Sequence, residues 1–256
     1  LRQRPLRMSR AARLRLAAAA VAAAGAVGAL AIVAAAALTG GVQTLAVADV
    51  RAEELYADAM PVMAPGEPAS GSRVDPAWVT AAAVRTSIPA AAVRAYAAAS
   101  LDLAARSPSC RLGWTTLAGI GAVESDHGRH GGGGLDAGGR TTRPIIGPAL
   151  DGSPGLAAIR ADPASTARHG DPVWDHAVGP VQFIGSTWLR WQSDGDADGT
   201  ADPHDLDDAA LAAGRYLCAS GADLTTGEGW TRAVRSYNHS DAYVASVLAA
   251  ATAAAR

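Results

Sequence analysis

The sequence contains no lysine, so all 22 basic residues are arginines, and 24 acidic residues outnumber them. A surface that binds nucleic acid normally shows an excess of basic residues, and the formal net charge of -2 does not support one. Nucleic-acid binding is therefore not expected. The lack of lysine, together with the abundance of alanine, is typical of a high-GC coding background rather than of a particular function.

Charge is absent from residues 16 to 38, LAAAAVAAAGAVGALAIVAAAAL, which follow an arginine-rich segment at residues 1 to 15. About 20 apolar residues span a bilayer, whereas the apolar core of a cleaved signal has about 7 to 15. The pattern predicts a membrane anchor that keeps residues 1 to 15 in the cytoplasm and places the rest of the chain outside. Two alternatives remain, namely secretion after cleavage at Ala48 and a buried alanine-rich helix.

Cysteine is also scarce, since Cys110 and Cys218 are the only two. Neither has a CxxC partner or a histidine at ligand spacing, so a metal site at these residues is not expected. An even number of cysteines in an exported protein favours a disulfide. Closing a loop of about 100 residues would stabilise the fold by about 4 to 5 kcal/mol in the chain-entropy model. The alternative is two unpaired thiols in the core.

Residues 39–74 are rich in proline, glycine, serine and alanine, and this composition predicts a linker. Asp75 and Pro76 form a good helix start, so a folded domain is expected over residues 75–256. No convincing alternating pattern predicts a strand, and residues 128–175 resemble a long surface loop. The expected class is therefore mainly α. Apolar spacing predicts helices over residues 76–86, 89–106, 112–126, 186–192, 207–219, 229–237 and 241–254.

The stretch AGIGAVESDHG places Glu124 near the end of a predicted helix, on the same face as Leu117, Ile120 and Gly121. An apolar environment raises the pKa of a carboxyl, and the negative end of a helix dipole acts in the same direction. Such a carboxyl would keep its proton near neutral pH and could serve as a general acid. The alternative is that Glu124 only ends an amphipathic helix and points into water.

Two later segments combine neutral polar side chains with aromatic rings. GPVQFIGSTW contains Gln182 and Phe183, which is the only phenylalanine, and SYNHS contains Tyr237 and Asn238. An amide that both donates and accepts hydrogen bonds, placed beside aromatic rings, suits a site that binds sugars. Each residue taken alone is also compatible with ordinary packing or capping.

The combination of a helix ending in Glu-Ser, a Gly-x-x-Gln-Phe-x-x-Ser-x-Trp segment and a late Tyr-Asn pair resembles the lytic transglycosylases of peptidoglycan. The similarity is to the membrane-bound B type, which has a lysozyme-like catalytic domain, and it extends from Pro76 to the C-terminus. It implies that Glu124 is the single acid and base. It also implies that the glycan cleft is lined by Ser125, Gln182, Phe183, Tyr237 and Asn238.

This sequence departs from the family pattern at two positions, where Val181 and Gly185 replace a methionine and a proline that family members often have. Neither change affects a proposed chemical group. Gly185 is expected to loosen the turn that positions Gln182.

Hydrolytic glycosidases use two carboxylates. Asp126 would project to the far side of the helix, so Asp175 is the better candidate for a second one. Without it, Glu124 would protonate the glycosidic oxygen and then act as base on the sugar's own 6-hydroxyl, and the resemblance implies a 1,6-anhydromuramyl product. The expected protein is a monomer that acts on peptidoglycan and needs no cofactor for its chemistry. The alternatives are a muramidase that uses Asp175 and a non-catalytic wall-binding protein.

Residues 194–208, here called the acidic loop, nearly match the spacing of an EF-hand calcium loop. Asp205 occupies the closing position, where its short side chain makes bidentate binding difficult. The resemblance implies that a later residue, Asp208, closes the loop instead. The expected ligands of a structural calcium ion are Asp194, Asp196, Asp198, Thr200 and Asp208. The alternative is a solvated turn whose aspartates, Asp205, Asp207 and Asp208, cap the next helix.

The six histidines form no metal-binding pattern. His127 and His130 are expected in an exposed glycine-rich loop, and His239 is a candidate contact to substrate.

Overall fold

A computed structural model describes residues 51–57 and 74–256. The predicted cytoplasmic segment, the membrane anchor and most of the predicted linker lie outside these residues. Within the described ranges, no helix is both long enough and apolar enough to cross a membrane.

The described chain is mainly helical, which confirms the predicted class. A short 3-10 helix, His130–Gly132, and two short strands, β1 (Ile146–Ala149) and β2 (His176–Val178), lie between the helices. The helices are α1 (Ala52–Ala57), α2 (Pro76–Thr86), α3 (Ala90–Arg106), α4 (Trp114–Ser125), α5 (Pro163–His169), α6 (Gly185–Trp191), α7 (Leu206–Gly221), α8 (Gly227–Tyr237) and α9 (Asp241–Ala255).

Helix α4 is the centre of the fold. Its first eight residues are all buried, so it is surrounded by protein rather than amphipathic. It packs most extensively against α9, while α3 packs against α7 and α7 against α8. The close approach of α4 and α9 depends on Gly119, because a Cβ there would lie 2.7 Å from the carbonyl oxygen of Val247.

The start of α2 agrees with the sequence prediction. The Asp75 carboxylate accepts hydrogen bonds from the backbone N–H groups of Ala77 at 2.6 Å and Trp78 at 3.2 Å, and Pro76 occupies the first helical position. This arrangement satisfies N–H groups that have no partner within the helix.

The segment predicted as a linker contains helix α1, which belongs to the folded domain. Ala52 and Leu55 are buried, and the Thr115 hydroxyl donates a hydrogen bond of 2.7 Å to the Leu55 carbonyl. The composition of the segment did not indicate this helix because its stability comes from packing on α4 and α9 rather than from its own six residues.

The long loop predicted over residues 128–175 contains some regular structure. Strands β1 and β2 pair in antiparallel fashion, with Ile146 opposite Val178 and Ala149 opposite His176, and α5 lies between them in sequence. The sequence showed no convincing strand pattern for these two strands. The strands have four and three residues, which is too short for an alternating pattern to be recognised.

Cys110 and Cys218 form the predicted disulfide, across a sequence separation of 108 residues. The bond joins the segment before α4 to the second half of α7. Next to it, the Leu224 N–H donates a hydrogen bond of 2.8 Å to the Cys110 carbonyl. Two segments that lie far apart in sequence are therefore held together beside the central helix.

Candidate functional site

A cavity of about 220 Å³ lies at the C-terminal end of α4, where α6, α7 and α8 converge. It combines one carboxyl group with neutral polar and aromatic side chains and one histidine. The lining residues are Glu124, Gln182, Phe183, Ile184, Thr187, Tyr216, Ser236, Tyr237 and His239. Four of the residues predicted from the sequence motifs therefore lie together, and His239 lies beside them.

Glu124 lines this cavity and is buried, with only 4% of the residue exposed. Its Oε1 atom accepts a hydrogen bond of 2.7 Å from the Tyr243 hydroxyl, and its Oε2 atom has no hydrogen-bond partner among the described residues. Burial raises the pKa of Glu124 well above its ordinary value, and the bond from Tyr243 offsets part of this effect. The surroundings of Glu124 therefore favour the protonated form of its carboxyl group, and one carboxyl oxygen is left without a hydrogen-bond partner among the described residues.

Tyr243, on α9, was not identified from the sequence. It lies on the buried face of α9, one turn before Val247 and two turns before Ala251. The sequence pattern that could have identified it is a tyrosine on an otherwise apolar helix face. A buried tyrosine hydroxyl needs a hydrogen-bond partner, so this position indicates a polar contact in the core.

The helix turn before Glu124 is shaped by Gly121. A Cβ at this position would lie 1.9 Å from the Tyr96 hydroxyl oxygen, so only glycine leaves room for that ring. Tyr96 in turn lies 3.3 Å from Nδ1 of His127, whose burial lowers its pKa to about 4. The prediction of an exposed His127 was wrong, because the chain reverses at Asp126, which has a left-handed conformation, and turns His127 back under α4.

Ser125 is not among the residues that line the cavity. Its hydroxyl donates a hydrogen bond of 2.6 Å to the Pro180 carbonyl and accepts one of 2.8 Å from the Gly128 N–H. The resemblance implied that this side chain lines the glycan cleft, whereas here its hydrogen bonds join the end of α4 to the turn that carries Gln182.

Gln182 ends a tight turn between β2 and α6. Its φ angle is 54°, a conformation that is costly for a residue with a side chain. Its Nε2 donates a hydrogen bond of 3.0 Å to the Gly179 carbonyl. Gly179 has a φ angle of 82° and packs so closely on the acidic loop that a Cβ would lie 1.8 Å from the Pro203 carbonyl oxygen. The turn is therefore tightly constrained, and it holds the amide in the cavity.

Three aromatic rings form one side of the cavity. The Phe183 ring lies 5.9 Å from the Tyr237 ring, which lies 5.6 Å from the Tyr216 ring, centroid to centroid. The Tyr237 hydroxyl donates a hydrogen bond of 2.8 Å to the Val181 carbonyl, and this bond ties the end of α8 to the turn of Gln182.

Asn238 is buried and ends α8, and its Oδ1 accepts a hydrogen bond of 3.1 Å from the Ser240 N–H. It does not line the cavity. Of the predicted Tyr-Asn pair, only Tyr237 is a lining residue, whereas Asn238 caps the end of α8. His239, between α8 and α9, is exposed and does line the cavity.

The two other carboxylates considered in the sequence analysis are engaged elsewhere. Asp175 is buried, and its oxygens accept hydrogen bonds from the N–H groups of Gly185 at 3.0 Å and His176 at 2.9 Å. Asp126 forms an ion pair with Arg129 at 2.7 Å. Among the residues that line the cavity, Glu124 alone carries a carboxyl group.

Gly185, which was expected to loosen the turn of Gln182, lies after that turn. It is the first residue of α6, and its N–H donates a hydrogen bond to the Asp175 carboxylate. A Cβ at this position would lie 2.7 Å from the Cβ of Ser165. The glycine therefore permits close packing of α6 on α5.

The acidic loop brings together three of its five predicted ligands. One carboxylate oxygen from each of Asp194, Asp196 and Asp208 lies within 4.8 Å of the others. Asp208 is fully buried, and burial raises its pKa to about 7, although its oxygens accept hydrogen bonds from the N–H groups of Gly195 and Asp202. This set consists only of oxygen donors and fits a hard cation such as calcium.

The other two predicted ligands are placed differently. Asp198 forms an ion pair with Arg140, and the exposed Thr200 donates its N–H to Asp198 at 2.8 Å. Asp205 caps α7 by accepting a hydrogen bond of 2.9 Å from the Asp207 N–H. The preference for Asp208 over Asp205 agrees with this geometry.

Comparison of the chain with protein-family models, with curated proteins and with solved structures gives no match.

Proposed function

We propose that this protein is a lytic transglycosylase that cleaves the β-1,4 bond between N-acetylmuramic acid and N-acetylglucosamine in peptidoglycan. The observation that carries the proposal is the buried Glu124, whose Oε2 atom has no hydrogen-bond partner among the described residues and which lines a cavity whose other lining residues carry no carboxyl group. A single carboxyl that is protonated before the reaction can supply both proton transfers of an intramolecular mechanism, but not the paired carboxylates of ordinary hydrolysis.

In the first step, Glu124 donates its proton to the glycosidic oxygen as the bond from this oxygen to the anomeric carbon of the muramyl residue breaks. The leaving sugar departs with a new hydroxyl group, and positive charge develops on the muramyl ring. The raised pKa of Glu124 serves this step because it favours the protonated form of the carboxyl, which is the form that can donate a proton.

In the second step, the Glu124 carboxylate accepts the proton of the 6-hydroxyl of the same muramyl residue, and that oxygen bonds to the anomeric carbon. The products are a 1,6-anhydromuramyl end and a free N-acetylglucosamine end, and no water is consumed. The Tyr243 hydroxyl supports the ionised form between the two steps, since it donates to Oε1 at 2.7 Å.

The remaining lining residues suit a glycan. The Tyr237 and Tyr216 rings offer apolar faces on which sugar rings can stack, and the Gln182 amide can exchange hydrogen bonds with hydroxyl or acetamido groups. The strained backbone of Gln182 supports a functional role, because such strain is often retained at binding sites.

The proposal includes the lysozyme-like domain that the resemblance implies. It also includes the membrane anchor at residues 16–38 and the extracytoplasmic location that the uncharged segment and its arginine-rich flank predict. It also includes a structural calcium ion held by Asp194, Asp196 and Asp208. Such an ion would neutralise the clustered carboxylates and take no part in the reaction.

The test is product analysis. Purified sacculi are digested with the wild-type protein and with Glu124→Gln, and the released fragments are analysed by mass spectrometry. The proposal expects wild-type fragments that are one water lighter than reducing fragments, and none from the variant. Reducing ends would indicate a muramidase. No turnover by either protein would indicate a wall-binding protein.

A further inference from the structure

The acidic loop is neutralised in part by an arginine from outside it. Arg140 belongs to the glycine-rich segment after α4, and its guanidinium reaches three aspartates at once. Nη2 lies 3.0 Å from Asp198, Nη1 lies 2.8 Å from Asp202, and Nε lies 3.4 Å from Asp205. A planar guanidinium with five donors suits several carboxylates better than a lysine ammonium does.

The backbone holds Arg140 in this position. Arg140 and Asp205 form an isolated antiparallel bridge. On either side of it, the Thr141 N–H donates to the His204 carbonyl at 2.9 Å and the Leu206 N–H donates to the Gly139 carbonyl at 3.0 Å. The backbone of Arg140 is therefore fixed beside the loop, and its partly exposed side chain reaches three of the loop's carboxylates from there.

Six of the seven carboxylates of the loop fall into two sets, and the seventh, Asp207, forms an ion pair with Arg94 at 2.6 Å. Asp194, Asp196 and Asp208 converge within 4.8 Å and face one another, whereas Asp198, Asp202 and Asp205 face the guanidinium. Asp198 occupies a ligand position in the calcium-loop spacing, but its charge is already paired. Clustered carboxylates repel one another unless positive charge is supplied, and here Arg140 supplies part of it.

We propose that Arg140 is a built-in counter-ion of the acidic loop. Together with a divalent cation, it reduces the repulsion among the aspartates and so stabilises the folded loop. The arginine and the cation both reduce the repulsion among neighbouring carboxylates. When one of them is present, loss of the other should therefore destabilise the loop less. The chain should therefore keep its fold without calcium, and removal of Arg140 should make the fold depend on calcium. This inference rests on the structural calcium ion of the proposed function but not on the proposed enzymatic activity, because unfolding and calcium titration are measured without substrate.

The experiment compares the full chain with Arg140→Gln and with Arg143→Gln, in a chelator and in excess calcium chloride at equal ionic strength. Arg143 is an exposed arginine three residues further along the same segment, so its replacement makes the same change of charge without removing a contact to the loop. Thermal unfolding reports stability, and calorimetric titration with calcium chloride reports affinity.

In the chelator, Arg140→Gln is expected to melt about 5 °C below the wild type, and calcium should restore most of this loss. The wild type and Arg143→Gln should respond less to calcium. Arg140→Gln should bind calcium with a dissociation constant about tenfold lower than that of the wild type. The reason is that Asp198 is freed from its ion pair and a positive charge near the cation is lost.

An equal calcium-dependent rise in melting temperature for Arg140→Gln and the wild type would overturn the proposal, as would a failure of calcium to stabilise Arg140→Gln. If Arg140→Gln yields no folded protein in the chelator, Arg140→Lys provides the test. This variant keeps the charge but loses the planar donors, so its calcium-dependent rise should exceed that of the wild type. A rise that is equal or smaller would also overturn the proposal.

Discussion

Replacing Glu124 with glutamine is expected to stabilise the folded protein at alkaline pH while removing its proposed activity. Burial raises the pKa of Glu124 well above the ordinary value of 4.5, so the folded protein keeps this proton at pH values at which the unfolded chain has lost it. Because the folded-state pKa is the higher one, stability is lost as the pH rises from about 4.5 through the folded-state pKa.

The magnitude follows from the surroundings of the carboxyl. One oxygen has a single partner and the other has none among the described residues, and an unsatisfied buried group costs about 1 to 3 kcal/mol, or more when charged. Glutamine cannot ionise, so the variant should gain about 1 to 3 kcal/mol at pH 8, which corresponds to a rise of about 3 to 9 °C in melting temperature. At pH 4 the wild-type carboxyl is mostly protonated in both states, and the gain from avoiding ionisation should be close to zero.

The assay is thermal unfolding followed by circular dichroism at pH 4 and pH 8. Glu228→Gln is the matched control, because the Glu228 side chain is 79% exposed and its replacement should change stability by less than about 0.5 kcal/mol at either pH. In parallel, release of soluble glycan by Glu124→Gln should fall by at least about 100-fold. The same difference in melting temperature between variant and wild type at both pH values would refute the argument that this carboxyl is buried and protonated.

Three further predictions test the geometry around the cavity. Tyr243→Phe removes a donor that favours the ionised carboxyl, so the pKa of Glu124 should rise further and the alkaline limb of the activity profile should move to higher pH; an unchanged or lowered limb would contradict this. Gly179→Ala should lower the free energy of unfolding in urea by more than about 3 kcal/mol, because the new Cβ would collide with the Pro203 carbonyl. Gly170→Ala should lower it by only about 1 kcal/mol, because Gly170 has an equally positive φ angle but open space around it. Equal costs would show that the contact with the acidic loop is unimportant. Reduction of the disulfide, which closes a loop with a separation of 108 residues, should cost about 4 to 5 kcal/mol in the same measurement, and a loss below about 1 kcal/mol would contradict the loop argument.

The sequence by itself determined most of the helices, because apolar residues at helical spacing bury one face and because starts such as Asp75-Pro76 are encoded locally. It also placed Glu124 on an apolar face and indicated the pairing of Cys110 with Cys218. Each of these features depends on neighbours in sequence or on the count of a rare residue.

Only the tertiary structure decided how the site is completed. The hydrogen bond between Tyr243 and Glu124 spans 119 residues, and the contact of Ser125 with Pro180 spans 55, so no local pattern indicates either one. The engagement of Asp175 by backbone N–H groups likewise follows from how α6 packs on α5.

The acidic loop shows the same division. Its spacing is a local property and predicts a cation site, but spacing cannot tell which carboxylates remain available. That was decided by Arg140, which lies 58 residues before Asp198 in sequence and reaches it through backbone pairing between two loops. Charges that are distant in sequence interact only after the chain has folded, and for this reason the electrostatics of the site had to be obtained from the structure.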